Sequence, residues 1–277
     1  MAAPFSTIAV PSLSVSSLRS VKILGARVHG PTLGEAVQII ESWIAEPSGT
    51  CRMTVTTGFH GLWVGHQEPA FRDILNAADL FCPDGIAPVW MSRLHGRPLP
   101  ARVCGSDLME ALLLRSQQTG YRSFFYGDTE ETLSALKARL KSRFPGISVG
   151  SLSPPFRPLD EAEEAAHIEI INASGADLLW VGLGCPKQEK FLARNRSRLT
   201  IPVAIGVGAA FRFHAGLVSR APEWVGNAGL EWAWRLAAEP GKMWRRDMTD
   251  GPRFIVAALA DAARMRWRSL HHEPEAL

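Results

Sequence analysis

In the segment ADLFCPDGIAPVW an apolar run stops at Pro83-Asp84-Gly85, and a second run begins at Ile86. Pro83 fixes its own φ, and Gly85 tolerates backbone angles closed to other residues, so the turn can hold the Asp84 carboxylate in one orientation. Open α/β sheets build ligand crevices outside the carboxyl ends of their strands, and Asp84 stands at such an end. The plainer use of the same tripeptide is a strand-to-helix turn with Asp84 as N-cap.

Two loops carry groups suited to anions. GLGCPKQEK sets Gly182 and Gly184 at a strand end, then Pro186 as a first helical residue, with Lys187, Gln188 and Lys190 close behind. Amides at a helix start carry partial positive charge, and glycines let a phosphate approach them. GVGAAF repeats the pair at Gly206 and Gly208, yet neither loop completes G-x-G-x-x-G, because Lys187 and Phe211 stand at the last position. Each is also compatible with an ordinary tight turn. Arg102 precedes a helix that Ser106 or Asp107 could cap; its planar guanidinium suits phosphate oxygens or, equally, a structural partner such as Asp107. His60 and His214 sit in loop-like contexts without metal-ligand spacing, and no zinc site is expected.

These groups need a scaffold, and the chain alternates strand-like with helix-like segments. SVKILGARVHG leads into LGEAVQIIESWIAE, RMTVTT into a helix from Leu62 to Asn76, and RSFFYG into DTEETLSALKARLKSRF. ISVGSLS, DLLWVGLG and PVAIGVG follow, the first two with a helix behind each. The alternation predicts an α/β, Rossmann-like fold whose largely parallel sheet is covered by helices on both faces.

Composition sets the bounds. With 277 residues, 46% hydrophobic and 21% charged, the chain can bury a substantial core. Cys51, Cys82, Cys104 and Cys185 form no Cys-x-x-Cys pair, which argues for a reducing cytoplasm. Residues 1–20 read as a loose tail rather than a secretory signal, and no apolar stretch is long enough to span a bilayer. The net charge of +3 is unevenly distributed: from Arg235 to Arg268, eight cations stand against four anions, interleaved with tryptophans. Such a mixture fits lipid headgroups or polyanions, or simply a solvated face. The change in composition near Ala221 divides a catalytic domain, 21–221, from a helical basic appendage, 222–277.

Taken in order, T-T-x-F-H, ADLFCPDG, RVCGSDL, FFYGDTEE, VGLGCPKQEK, IGVGAAFRFHAG and GLEWAWRLAAEP resemble the WecG/TagA/CpsF family of bacterial glycosyltransferases, glycosyltransferase family 26, from about Val21 to about Phe254. The resemblance implies inverting transfer of a sugar from a UDP-sugar to a hydroxyl of an undecaprenyl-diphosphate-linked saccharide, at the inner face of the plasma membrane, for surface glycan or exopolysaccharide synthesis. It makes Asp84 the general base. It assigns donor or nucleotide binding to Thr56, Thr57, Gly85, Arg102, Gly184, Gln188, Glu189, Gly206 and Gly208. Arg235, Lys242 and Arg245 belong to a mobile appendage that closes at the membrane. No cofactor or metal is implied, there being no D-x-D motif, and neither is a nucleic-acid partner; a homo-oligomer is compatible. The donor stays open among N-acetylmannosamine, its uronate and hexoses. Two positions depart from the family pattern. Gly58 replaces a side-chain amide, and Arg212 replaces an acid, which would suit an acidic sugar unless Arg212 pairs with Glu223. Two readings from other classes are an oxidoreductase using a nucleotide cofactor on a Rossmann-like sheet, disfavoured by the incomplete glycine fingerprints, and a non-catalytic polyanion-binding protein, which leaves the Asp84 turn unexplained.

Overall fold

The computed structural model describes residues 13–227, 230–238, 241, 244 and 246–271. Six strands form one wholly parallel sheet in the order β4-β3-β8-β7-β5-β6: β3 (Arg52–Thr57), β4 (Leu80–Pro83), β5 (Arg122–Gly127), β6 (Ser148–Leu152), β7 (Leu178–Gly182) and β8 (Val203–Gly206). The α/β expectation holds. β7 shows why its sequence is apolar throughout: Leu178 and Trp180 enter one core, Leu179 and Val181 the other, so neither face meets solvent.

The first expected strand is instead a separate antiparallel hairpin, β1 (Ser20–Ile23) with β2 (Ala26–His29). Leu24 and Gly25 both have positive φ, 51° and 83°, the backbone of a two-residue hairpin turn that a run of strand-forming residues conceals. The segment before it is not wholly loose, because Leu13, Val15 and Leu18 pack against the second core; residues 1–12 lie outside the described residues.

The helices are α1 (Leu33–Ala45), α2 (Phe59–Gln67), α3 (Pro69–Asn76), α4 (Ala87–Leu94), α5 (Gly105–Thr119), α6 (Glu130–Arg143), α7 (Glu161–Ala173), α8 (Lys187–Asn195), α9 (Ala210–His214), α10 (Glu223–Asn227), α11 (Glu231–Ala238) and α12 (Gly251–Leu270). The single helix expected over 62–76 is broken into α2 and α3, since Pro69 can begin a helix but cannot continue one. Thr32 and Asp160 each close a capping box, with Glu35 and Glu163, and so start α1 and α7.

α12 folds back onto the body despite the change in composition near Ala221. Phe254, Ala258 and Ala262, four residues apart, form its buried stripe, and Phe254 packs against Phe59 with ring centroids 5.8 Å apart. Asp261 accepts from the Leu24 amide at 2.8 Å and from His95 Nε2 at 3.1 Å. His95 Nδ1 is 2.8 Å from the Met91 carbonyl, so both ring nitrogens face acceptors, and its pKa is raised: burial opposes the charge, but the Asp261 carboxylate and the Met91 carbonyl outweigh it. None of the described helices is long and apolar enough to cross a membrane.

Candidate active site

The carboxyl ends of β3 and β4 lie side by side, with Thr57 level with Pro83. Beyond them, the Asp84 amide donates to the Thr57 carbonyl at 3.1 Å, so the Asp84 turn is tied to the neighbouring strand. Gly85 has φ +79°, the left-handed geometry expected of it. The N-cap of α4 is Ile86, so Asp84 does not serve as the cap of that helix. Gly58 explains itself here. A Cβ at that position would stand 2.4 Å from the Asp84 carbonyl oxygen, so only glycine lets the two strand ends come this close.

The segment before α5 runs beside the same turn, its Val103 amide donating to the Pro83 carbonyl at 2.9 Å. Gly105 opens α5 against β3, where a Cβ would come within 2.5 Å of Thr56 Oγ1. The segment that carries Arg102 is thereby tied to the strand end that precedes Asp84. Neither Ser106 nor Asp107 caps α5: its N-cap is Cys104, without a side-chain bond, and Asp107 instead makes a two-pronged pair with Arg220. Arg102 does not pair with Asp107 either; its Nη1 donates to Glu231 Oε2 of α11 at 2.7 Å, a partner 129 residues away. Burial, reinforced by the Asp84 carboxylate, pushes the Cys82 and Cys104 thiols up, so both stay protonated beside it. None of the four cysteines is in a disulfide, and Cys185 alone is only half-buried.

Across the sheet, the ends of β7 and β8 are joined through one side chain. Gln188 Oε1 accepts from the Gly184 amide at 3.2 Å and from the Gly208 amide at 3.0 Å, and Gln188 Nε2 donates to Glu189 Oε1 at 3.0 Å. Gly206 makes room for it, since a Cβ there would meet Nε2 at 2.9 Å. Gln188 is 1% exposed and Glu189 0%. The amides of Gly184 and Gly208, expected to face an anion, are therefore engaged within the protein, and Gln188 joins two loops. Gly184 and Gly208 keep positive φ, 78° and 56°, as the turns require. Pro186 stands one position earlier than expected, as N-cap of α8. Thr56 is likewise a strut, 4% exposed, with Oγ1 donating to the Gly206 carbonyl at 2.7 Å; Thr57 is buried beside it.

Burial raises the Glu189 carboxyl to about 7, only partly offset by its own backbone amide, the bond from Gln188 and the neighbouring Cys185 thiol. His214 is a structural histidine, its Nε2 3.0 Å from the Ser106 carbonyl and its pKa lowered chiefly by burial.

Arg212 lies 3.4 Å from an Asp128 carboxylate oxygen, a partner not anticipated from the sequence. Asp128 follows β5 with φ 55°, uncommon for a residue with a side chain, and its own carboxylate accepts from the Thr129 amide at 2.8 Å. The YGDT sequence at a strand end was the available signal. Arg235 lies in α11, although its side chain is not among those described; Lys242 and Arg245 fall outside the described residues.

A carboxylate-bearing turn at the end of β4 and paired glycine loops after β7 and β8 all lie outside the carboxyl ends of one parallel sheet, where open α/β proteins build their ligand crevices. Residues 21–268 match the Glycosyl transferase WecG/TagA/CpsF family, and the chain belongs to that family. It is a glycosyltransferase, which sets aside the oxidoreductase and the non-catalytic polyanion-binding readings. The chain is similar to the N-acetylglucosaminyldiphosphoundecaprenol N-acetyl-beta-D-mannosaminyltransferase of Bacillus spizizenii, at 37% identity over 70% of this chain and 73% of that one. It is also similar to the protein of the same name from Bacillus subtilis, at 32% identity over 70% and 74%.

Proposed function

We propose that this enzyme transfers a sugar from a UDP-linked donor to a hydroxyl of a polyprenyl-diphosphate-linked saccharide, with inversion at the anomeric carbon. The observation that carries the reading is the Asp84 turn tethered to the neighbouring strand, with the segment after Arg102 bonded to the same strand end, in a chain whose relatives bear the mannosaminyltransferase name. Asp84 takes the proton of the acceptor hydroxyl as that oxygen attacks the anomeric carbon. The bond from that carbon to the diphosphate breaks, and UDP leaves with the electron pair. A positioned base of this kind contributes about 10²–10⁴-fold. Arg102 meets the charge growing on the leaving diphosphate, exchanging its Glu231 partner for phosphate oxygens. With no D-x-D motif in the sequence, a metal-independent reaction is the reading to test. Arg212, already neutralised by Asp128, gives little support to selection of an acidic sugar, so UDP-N-acetylmannosamine is the first donor to try, with N-acetylglucosaminyl-diphosphate-lipid as acceptor.

The site works at a membrane in this reading. α12 turns Arg253, Ile255, Val256, Leu259, Arg264, Arg266 and Trp267 outward, opposite its buried stripe, and Trp224, Trp232, Trp234 and Trp244 are also exposed. Cations among exposed aromatic and aliphatic groups suit the anionic inner face of the plasma membrane, where the lipid acceptor resides.

A UDP-release assay tests the chemistry. Acceptor-dependent release should fall at least about a hundredfold in Asp84→Asn and survive chelator. Release undiminished in Asp84→Asn would remove Asp84 as base, and loss with chelator would call for a metal.

A further inference from the structure

Glu189 is a carboxyl group in the first turn of α8 with no exposure to solvent. An acid serving only the helix dipole gains that benefit at the surface, without the cost of leaving water. Glu189 Oε1 accepts from Gln188 Nε2, and Oε2 has no hydrogen-bond partner of ordinary geometry among the described residues, although the Glu189 backbone amide and the Cys185 thiol lie close enough to favour the carboxylate. A buried polar group left half-satisfied calls for a reason.

The reason lies in which way round the Gln188 amide sits. Two backbone N–H groups, of Gly184 and Gly208, converge on one end of that amide and can bond only to its oxygen. Its NH₂ end then faces Glu189, so position 189 must present an acceptor; a donor or an apolar group would leave the NH₂ buried and unpaired. The two glycines lie two residues beyond the ends of neighbouring strands, since β7 and β8 are paired. Gln188 thus sets the spacing between the two loops.

We propose that Glu189 is a positioning residue: its acceptor oxygen fixes the Gln188 amide, which holds the loops at Gly184 and Gly208 in the geometry that receives the nucleotide diphosphate. The last clause rests on the proposed function, and the loop geometry stands apart from it. The acceptor oxygen is the working feature rather than the charge, so glutamine at 189 substitutes for glutamate and leucine does not.

Two readouts on the full chain test this. The first is amide hydrogen exchange at Gly184 and Gly208, followed by NMR with the Val55 and Trp180 amides as internal references. The second is UDP affinity by calorimetry. Glu189→Leu should speed exchange at both glycines about tenfold or more, leave Val55 and Trp180 within about twofold, and weaken UDP binding about tenfold. Glu189→Gln should stay near the native protein in both. Glu189→Ala carries the same expectation as leucine if the leucine variant does not fold. Native exchange at both glycines in the leucine or alanine variant, or equal acceleration at all four amides, would overturn the proposal, as would a glutamine variant no better than leucine. Native protein that binds no UDP would count against the nucleotide reading alone, and glycine exchange would still decide the positioning role.

Discussion

Buried acids change the pH dependence of stability, and Glu189 gives that effect a sign. Its carboxyl releases a proton near 4.5 in the unfolded chain but only at about 7 in the folded one. Between those values the folded state holds the extra proton, so this contribution is fully present below pH 4.5 and is lost as pH rises through about 7. The span corresponds to a loss on the order of 3 kcal/mol. Glu189→Gln cannot titrate. Its stability relative to the native protein should therefore rise by on the order of 3 kcal/mol between pH 4.5 and 8, whatever constant offset the amide introduces. Urea unfolding of both proteins at the two pH values measures this; a difference independent of pH would mean that the carboxyl titrates normally in the fold.

At the scale of elements, one ion pair joins the start of α5 to α11. Arg102 and Glu231 are each largely shielded, with side chains 16% and 24% exposed. In the proposed reaction the diphosphate competes with Glu231 for the guanidinium. Releasing that competition is worth about 1 kcal/mol, or roughly fivefold in affinity. Calorimetry should accordingly show Glu231→Gln binding UDP about fivefold more tightly, and Arg102→Ala binding it at least about tenfold more weakly. Should Glu231→Gln leave UDP affinity unchanged, Arg102 would be a structural tie between the two helices rather than a phosphate ligand. The same pair explains why the residues beyond Ala221 are not a free arm: α11 is held through Arg102, and α12 through Asp261 and Phe254.

For the whole molecule, that attachment dictates how membrane binding has to be examined. Removing everything beyond Ala221 would strip Phe254, Ala258 and Ala262 from the body and expose apolar surface, so loss of binding would not identify the contact. Substitutions on the outer face of α12 avoid this, because Arg253, Arg264 and Trp267 are exposed. Native protein should sediment with anionic vesicles, more weakly as salt is raised. Exchanging Arg253 and Arg264 for glutamate should weaken binding by about 1 kcal/mol or more per residue, with thermal stability little changed. Equal sedimentation of native and exchanged proteins would place the contact elsewhere.

The sequence by itself determined the layered architecture and the Asp84 turn, because both are written in local chemistry. Continuous apolar runs can be satisfied only by strands covered on both faces, and Pro83-Asp84-Gly85 fixes its own backbone. The hairpin at Leu24-Gly25 and the break at Pro69 were also local, but were hidden within runs whose periodicity continues across them. Tertiary structure decided the partners. Arg102 with Glu231, Arg212 with Asp128, and Asp261 with His95 and Leu24 each join residues far apart in the chain, and nothing near either member announces the other. Nor could spacing reveal that Gln188 and Thr56 face inward. A polar side chain at a strand end can turn toward ligand or toward a neighbouring backbone amide or carbonyl, and only the packed sheet, which brings Gly184, Gly206 and Gly208 within reach, selects the second.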